Sequence, residues 1–139
     1  MNETRNRRLY RLWAPVYDGL FERISASGRC RAVSLLAARS GERILLPGVG
    51  TGLDLPLLPG GALITGIDLS PAMLGVARRR AAGRAIVLTI MDAQRLEFRD
   101  ATFDAVLLNL ILSVAPDGRA VFREAWRVLC PGGRMVIFD

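Results

Sequence analysis

The 139-residue chain reads as an α/β protein built on a doubly wound, mostly parallel sheet. Three observations predict this. Short apolar runs alternate with helical patterns along residues 41–139, the order that produces a parallel sheet covered by helices on both faces. The strand runs are apolar throughout rather than alternating, as expected where both faces are buried. The ends of successive strands carry glycines, carboxylates and an amide, and open α/β sheets hold ligands beyond those ends.

The elements follow in order. Residues 3–24 read as a helical region interrupted near Pro15, with Leu9, Leu12, Trp13 and Val16 on one face and Arg5, Arg7, Arg8 and Arg11 around it. Ser25, Ser27 and Gly28 predict a break. A second helix is expected over residues 29–39, with Val33, Leu35, Leu36 and Ala37 as its apolar positions, ended by Ser40-Gly41. Strand one is Arg43–Pro47, followed by the turn Gly48-Val49-Gly50-Thr51-Gly52 and a short helix from Leu53. Strand two is Ala62–Ile67. Ser70 offers an N-cap oxygen and Pro71 suits a first helical turn, so a helix opens there and runs to Ala82, stopping at Gly83. Strand three is Ala85–Ile90 and strand four Phe103–Leu108. Asp117–Leu129 is expected to be a helix with Val121, Phe122, Ala125, Trp126 and Leu129 facing inward. Pro131-Gly132-Gly133 forms a turn before strand five, Arg134–Phe138. Residues 1–40 are expected to form a helical lid on a core of residues 41–139, one domain overall.

Composition narrows the function. No apolar run approaches the roughly 20 residues that cross a bilayer. The N-terminus is charged from Glu3 onward and lacks a secretory signal, so the expected location is cytoplasmic. Histidine is absent, which excludes an imidazole base. Cys30 and Cys130 have no ligand spacing around them, so no metal is expected; both read as small, partly buried, reduced side chains. The net charge is +6 and every basic residue is arginine. That balance suits an anionic partner such as nucleic acid, acidic lipid or a phosphorylated substrate. Arginine in place of lysine is equally what genome composition or heat tolerance produces.

The candidate site lies where strands end. Strand one runs into Gly48, Gly50 and Gly52, strand two ends at Asp68, strand three at Asp92 and strand four at Asn109. Glycines let the backbone turn sharply and let a ligand approach without Cβ interference. Asp68 follows Gly48 by the interval expected of an acid that bonds ribose hydroxyls. The turn lacks the third glycine of G-x-G-x-x-G, where Leu53 stands. Asp54 falls in the first turn of the following helix, where a carboxylate would oppose a pyrophosphate and tolerate a cation. An adenosine cofactor with a sulfonium fits that better than a dinucleotide, although Asp54 can also be read as a helix-start charge.

On these residues the chain resembles a class I S-adenosylmethionine-dependent methyltransferase. The stretches that carry the likeness are Arg43–Leu53 (RILLPGVGTGL), Thr65–Gly75 (TGIDLSPAMLG), Met91–Gln94 (MDAQ), Phe103–Gly118 (FDAVLLNLILSVAPDG) and Arg123–Asp139 (REAWRVLCPGGRMVIFD). Residues 8–18, including Trp13–Asp18 (WAPVYD), are similar to the entry segment of the phosphatidylethanolamine N-methyltransferases and quinone C-methyltransferases. The resemblance implies a Rossmann-like sheet in the order 3-2-1-4-5. It implies that Gly48, Val49, Gly50, Thr51 and Gly52 line the methionine part of S-adenosylmethionine, and that Asp68 binds the ribose. Leu69 and Met73 would lie near the adenine, Asp92 would bond the adenine amino group with Ala93 beside it, and Asn109 and Leu110 would close the methionine side. Tyr17 would belong to a lid over cofactor and substrate, its alternative being a core aromatic. The product would be S-adenosylhomocysteine, with no metal.

Two departures from the family pattern bear on this. The acid usual two residues before the first glycine is replaced by Leu46, and Asp54 or backbone carbonyls are the expected substitutes for its contact to the methionine ammonium. The family also continues past strand five, whereas this sequence ends at Asp139. The expectation is therefore a fragment, or an apolar strand-five edge covered by a partner copy.

Methyl transfer needs alignment and a dry site rather than a protein nucleophile. With no histidine, an amine acceptor is favoured, losing its proton to water, Asp or Tyr. The acceptor expected is a small molecule or a lipid, a phosphatidylethanolamine-type amine foremost, with quinone or other C- or O-methylation as the alternative. Residues 5–16 resemble a basic amphipathic helix that lies on an anionic membrane surface. Nucleic-acid or protein methylation is a further alternative, disfavoured because Asn109-Leu110-Ile111-Leu112 lacks the tetrad of amino-group DNA methyltransferases and because Arg78, Arg79 and Arg80 cannot all face one ligand. A non-catalytic cofactor-binding module is the remaining reading.

Overall fold

The structure is a computed structural model that describes residue 20 and residues 23–139. Five parallel strands form one sheet in the order β3-β2-β1-β4-β5. They are β1 (Arg43–Pro47), β2 (Leu63–Asp68), β3 (Ile86–Ile90), β4 (Phe103–Asn109) and β5 (Leu129–Phe138). Among the described residues three helices cover it: α1 (residues 23–36), α2 (Pro71–Arg80) and α3 (Gly118–Val128).

Successive residues of a strand point to opposite faces, and the two hydrophobic clusters divide on that rule. Ile44 and Leu46 of β1 and Ala105 and Leu107 of β4 join Ala32, Val33 and Leu36 of α1 and Ala77 of α2. Leu45 of β1 and Val106 and Leu108 of β4 face the other way, onto Val121, Ala125 and Val128 of α3. Leu36, Ile44, Leu45, Leu107 and Leu108 are essentially inaccessible to solvent. Each such burial contributes about 1.5–3 kcal/mol against exposure, so the central strands hold both layers.

Local sequence sets the helix starts. Ser70 caps α2, its Oγ accepting from the Met73 N–H at 3.3 Å, with Pro71 at the first helical position. Asp117 caps α3 by accepting from the Ala120 N–H at 3.1 Å.

Several elements differ from expectation. The break at Ser25–Gly28 is absent, because α1 runs through it. The Ser25 Oγ accepts from Arg29 Nε one turn on, at 3.0 Å. Gly28 is a glycine for packing, since a Cβ there would lie 2.2 Å from the Phe138 ring of β5. The same helix ends earlier than residue 39, at 36, with Ala37 at φ 50. Leu35 is exposed, because the buried stripe is Ala32, Val33 and Leu36. The helix expected from Leu53 is a single 3-10 turn, Leu55–Leu57, which Pro56 and Pro59 keep from extending. On α3, Phe122 and Trp126 stack on each other in the open rather than facing inward, at 39% and 65% exposure. They sit one residue, about 100°, round from the Val121-Ala125-Val128 stripe. Strand five begins at Leu129, and the Pro131-Gly132-Gly133 turn is an irregularity within it, where pairing jumps from Phe103↔Leu129 to Ala105↔Arg134. Cys30 is exposed rather than partly buried.

Candidate functional site

Because the strands are parallel, the carboxyl ends of β1, β2 and β4 open on one edge. The turn Gly48–Gly52 follows β1 there, Asp68 is the last residue of β2 and Asn109 the last of β4.

The three glycines answer three different steric demands, and Gly48, Gly50 and Gly52 all have positive φ. A Cβ on Gly48 would lie 2.1 Å from Ile111 Cδ1. One on Gly52 would meet Leu55 Cδ1 at 2.8 Å and the Ala77 Cα of α2 at 3.2 Å. Among the described residues, one on Gly50 would find only the Gly48 carbonyl oxygen, at 3.9 Å. Gly48 and Gly52 are thus packed against protein, and Gly50 is the one whose face is open for a ligand.

Asp68 ties the turn to β2. The Gly50 N–H donates to its Oδ2 at 3.0 Å and the Ser70 N–H to its Oδ1 at 2.9 Å. Burial raises the Asp68 carboxyl above its usual range, offset in part by N–H bonds from Ser70, Gly50 and Leu69. Each carboxylate oxygen retains capacity for a further donor such as a ribose hydroxyl.

Asp54 is buried at 7% exposure and does not cap the 3-10 turn that follows it. Its Oδ1 accepts from Arg29 Nη1 of α1 at 3.0 Å, and its Oδ2 accepts from Asn109 Nδ2 at 3.0 Å. Among the described residues, Asn109 Oδ1 is buried without a hydrogen-bond partner. Leaving such an oxygen unmatched costs about 1–3 kcal/mol, so a donor placed there by a ligand is stabilised. Leu46, where the family's usual acid would stand, packs into the core at 2% exposure.

The remaining expected residues are distributed as follows. Asp92 lies two residues beyond β3 and accepts from the Gln94 N–H at 2.9 Å through Oδ1. Ala93 is buried, Leu69 is exposed and Met73 is half-buried in the first turn of α2. Leu110 has φ 56 and donates its N–H to the Phe138 carbonyl at 2.7 Å, bending the chain away from β4. Thr51 is buried, and its carbonyl accepts from Arg80 Nη1 at 2.8 Å. Tyr17 and residues 5–16 lie outside the described residues.

Sequence reasoning missed three arginines that hold this edge. Arg29 meets Asp54. Arg80 turns inward to Thr51 while Arg78 and Arg79 are exposed. Arg84 donates to the Leu55, Leu58 and Pro59 carbonyls, the last two at 3.0 and 2.8 Å, and so staples the loop after the glycine turn. The only available signal was the four-residue spacing of Arg80 and Arg84, which cannot reveal a partner some 29 residues away.

A sulfonium cofactor with an amino-acid tail fits this donor set: an open glycine face, an acceptor-rich carboxylate and an unmatched buried carbonyl. Residues 45–137 match the methyltransferase-domain family, and the chain belongs to it. A phosphatidylethanolamine N-methyltransferase of Cereibacter sphaeroides is 42% identical over 136 residues, covering 95% of this chain and 66% of that protein. A demethylmenaquinone methyltransferase of Thermus thermophilus is 38% identical, covering 91% and 61%. The crystal structure of a SAM-dependent methyltransferase from Thermotoga maritima superimposes with a TM-score of 0.73 at 26% identity, over 92% of this chain and 58% of that one. The chain thus spans about two thirds or less of these relatives' length.

Proposed function

We propose that the protein transfers a methyl group from S-adenosylmethionine to a lipid or lipid-like small molecule, a phosphatidylethanolamine-type amine foremost. The observation that carries the cofactor half is the juxtaposition at one sheet edge of the open Gly50 face, the Asp68 carboxylate and the unmatched Asn109 oxygen. Asp68 and Gly50 would hold the ribose side, Asn109 and the turn the amino-acid side, and Asp92 with Leu69, Met73 and Ala93 the adenine side.

The cofactor brings its own reactive sulfonium methyl. The chain's part is to fix it in line with an acceptor and keep water out. An amine acceptor needs only to lose a proton to water or a nearby carboxylate. The amine is supported by the N-methyltransferase relative. A second reading, methylation of a quinone carbon, is supported by the demethylmenaquinone methyltransferase relative and by a 2-phytyl-1,4-naphtoquinone methyltransferase of Synechococcus elongatus at 37% identity.

Among the described residues no helix is long and apolar enough to cross a membrane. A lipid acceptor would then be met from the cytoplasmic face, with residues 5–16 on the anionic surface and Tyr17 in the lid. A second copy, or further chain, would cover the β5 edge.

Calorimetry with S-adenosylmethionine and S-adenosylhomocysteine tests the cofactor half, and neither binding would refute it. Methyl transfer to phosphatidylethanolamine vesicles against a demethylmenaquinone decides the acceptor. Turnover of the quinone alone would replace the amine reading, and cofactor binding without any turnover would favour a non-catalytic module.

A further inference from the structure

The buried chain Arg29–Asp54–Asn109 connects α1 to the end of β4, and neither of its two contacts was expected from the family pattern. Asp54 has both oxygens engaged, one by Arg29 Nη1 and one by Asn109 Nδ2, each at 3.0 Å. Its charge is matched by a guanidinium whose own side chain is only 13% exposed. The expected direct contact between Asp54 and a cofactor ammonium is therefore the less economical use of this carboxylate.

The geometry constrains Asn109 instead. An ionised carboxylate can only accept, so it must face the amide NH2 group and never the amide oxygen. That settles which way round the amide lies and turns Oδ1 away from Asp54. Oδ1 is a pure acceptor, buried and unmatched, at the sheet edge where the methionine part of the cofactor is proposed to sit. A cationic ammonium is the donor that suits such an oxygen best.

We propose that Arg29 is a positioning residue for the amino-acid end of the cofactor: through Asp54 it locks the Asn109 amide so that Oδ1 accepts from the cofactor ammonium. This rests on the cofactor reading given above. Arg29 suits the role because its planar fork holds two directions at once, Nη1 to Asp54 and Nε to Ser25 Oγ. A lysine is a point charge on a flexible stem and fixes neither. The N-terminal helix is thereby coupled to the site through one side chain.

The test compares two ligands by calorimetry on the 139-residue chain: S-adenosylhomocysteine, and 5′-methylthioadenosine, which keeps the adenosine thioether but lacks the amino-acid end. Arg29→Gln is expected to weaken S-adenosylhomocysteine about tenfold, ~1.4 kcal/mol, while leaving 5′-methylthioadenosine within about twofold. Arg29→Lys restores part of the difference. Asp54→Asn supplies a second route if Arg29→Gln folds poorly by circular dichroism. Its amide can pair with Asn109 either way round, so the same selective loss is expected. General loosening of the site would weaken both ligands together. Equal losses, or none, overturn the positioning role while leaving the cofactor reading intact. If the unaltered chain binds neither ligand, the cofactor reading fails and this inference with it.

Discussion

The Arg29–Asp54 pair makes a sharp stability prediction because its two halves differ in reach. At 3.0 Å, with side chains 13% and 10% exposed, their attraction is about 5 kcal/mol at an effective dielectric of about 20. Desolvation offsets much of that, so the pair as a whole contributes little net stability, but breaking it from one side leaves a buried charge. Arg29→Leu strands the short Asp54 carboxylate, which cannot reach water, and is expected to cost about 3–5 kcal/mol. Asp54→Leu is expected to cost less, because the long Arg29 side chain sits on a helix and can swing its head into solvent. The double variant Arg29→Leu/Asp54→Leu removes both charges and should return to within about 1–2 kcal/mol of the parent, the residue being the unmatched Asn109 amide. In urea, with a slope of about 2 kcal/mol/M, Arg29→Leu lowers the unfolding midpoint by about 2 M. If Arg29→Leu and the double variant unfold at the same midpoint, the pair is uncoupled and the reasoning is wrong.

Three further outcomes are expected at other positions of the fold. Gly52→Ala should cost more than Gly41→Ala in thermal melts. Both have φ near +80°, but an added Cβ at Gly52 meets the Ala77 backbone at 3.2 Å and at Gly41 meets nothing within 4 Å among the described residues, so Gly41→Ala carries only the roughly 1–2 kcal/mol of left-handed strain. Because burial raises the Asp68 carboxyl, affinity for S-adenosylhomocysteine should begin to fall, on lowering the pH, above the range near 3.9 of an ordinary aspartate; Asp68→Asn should bind weakly with a flat profile by calorimetry. The Glu42 carboxyl is held below its usual value, first by the Arg134 hydrogen bond at 2.6 Å and then by the Arg39 N–H. Its stabilisation is present above the unfolded-state pKa and lost as the pH falls through the lower folded one, so Glu42→Gln should destabilise at pH 7 and converge with the parent in strong acid, read from urea midpoints.

The order of strands and helices, the Ser70 cap and the set of residues at strand ends were legible because each depends on local pattern. A continuous apolar run such as Phe103–Asn109 needs cover on both faces wherever it lies, and Ser70-Pro71 caps a helix in any surroundings. Patterns of that kind are enough to specify a parallel sheet and the edge on which Gly50, Asp68 and Asn109 meet.

What the tertiary structure alone decided are contacts between positions far apart in the chain. Gly28 read as a helix breaker, yet it lies inside α1 because the Phe138 ring occupies the space of its side chain. Phe122 and Trp126 read as core, yet the narrower Val121, Ala125 and Val128 stripe is the one that faces the sheet. Asp54 read as a helix-start charge or an ammonium ligand, and its partners prove to be Arg29 and Asn109, 25 and 55 residues away. Periodicity reports which face of an element is apolar; only the packed chain determines which buried charge is matched, and therefore which buried polar atom is left without a partner among the described residues.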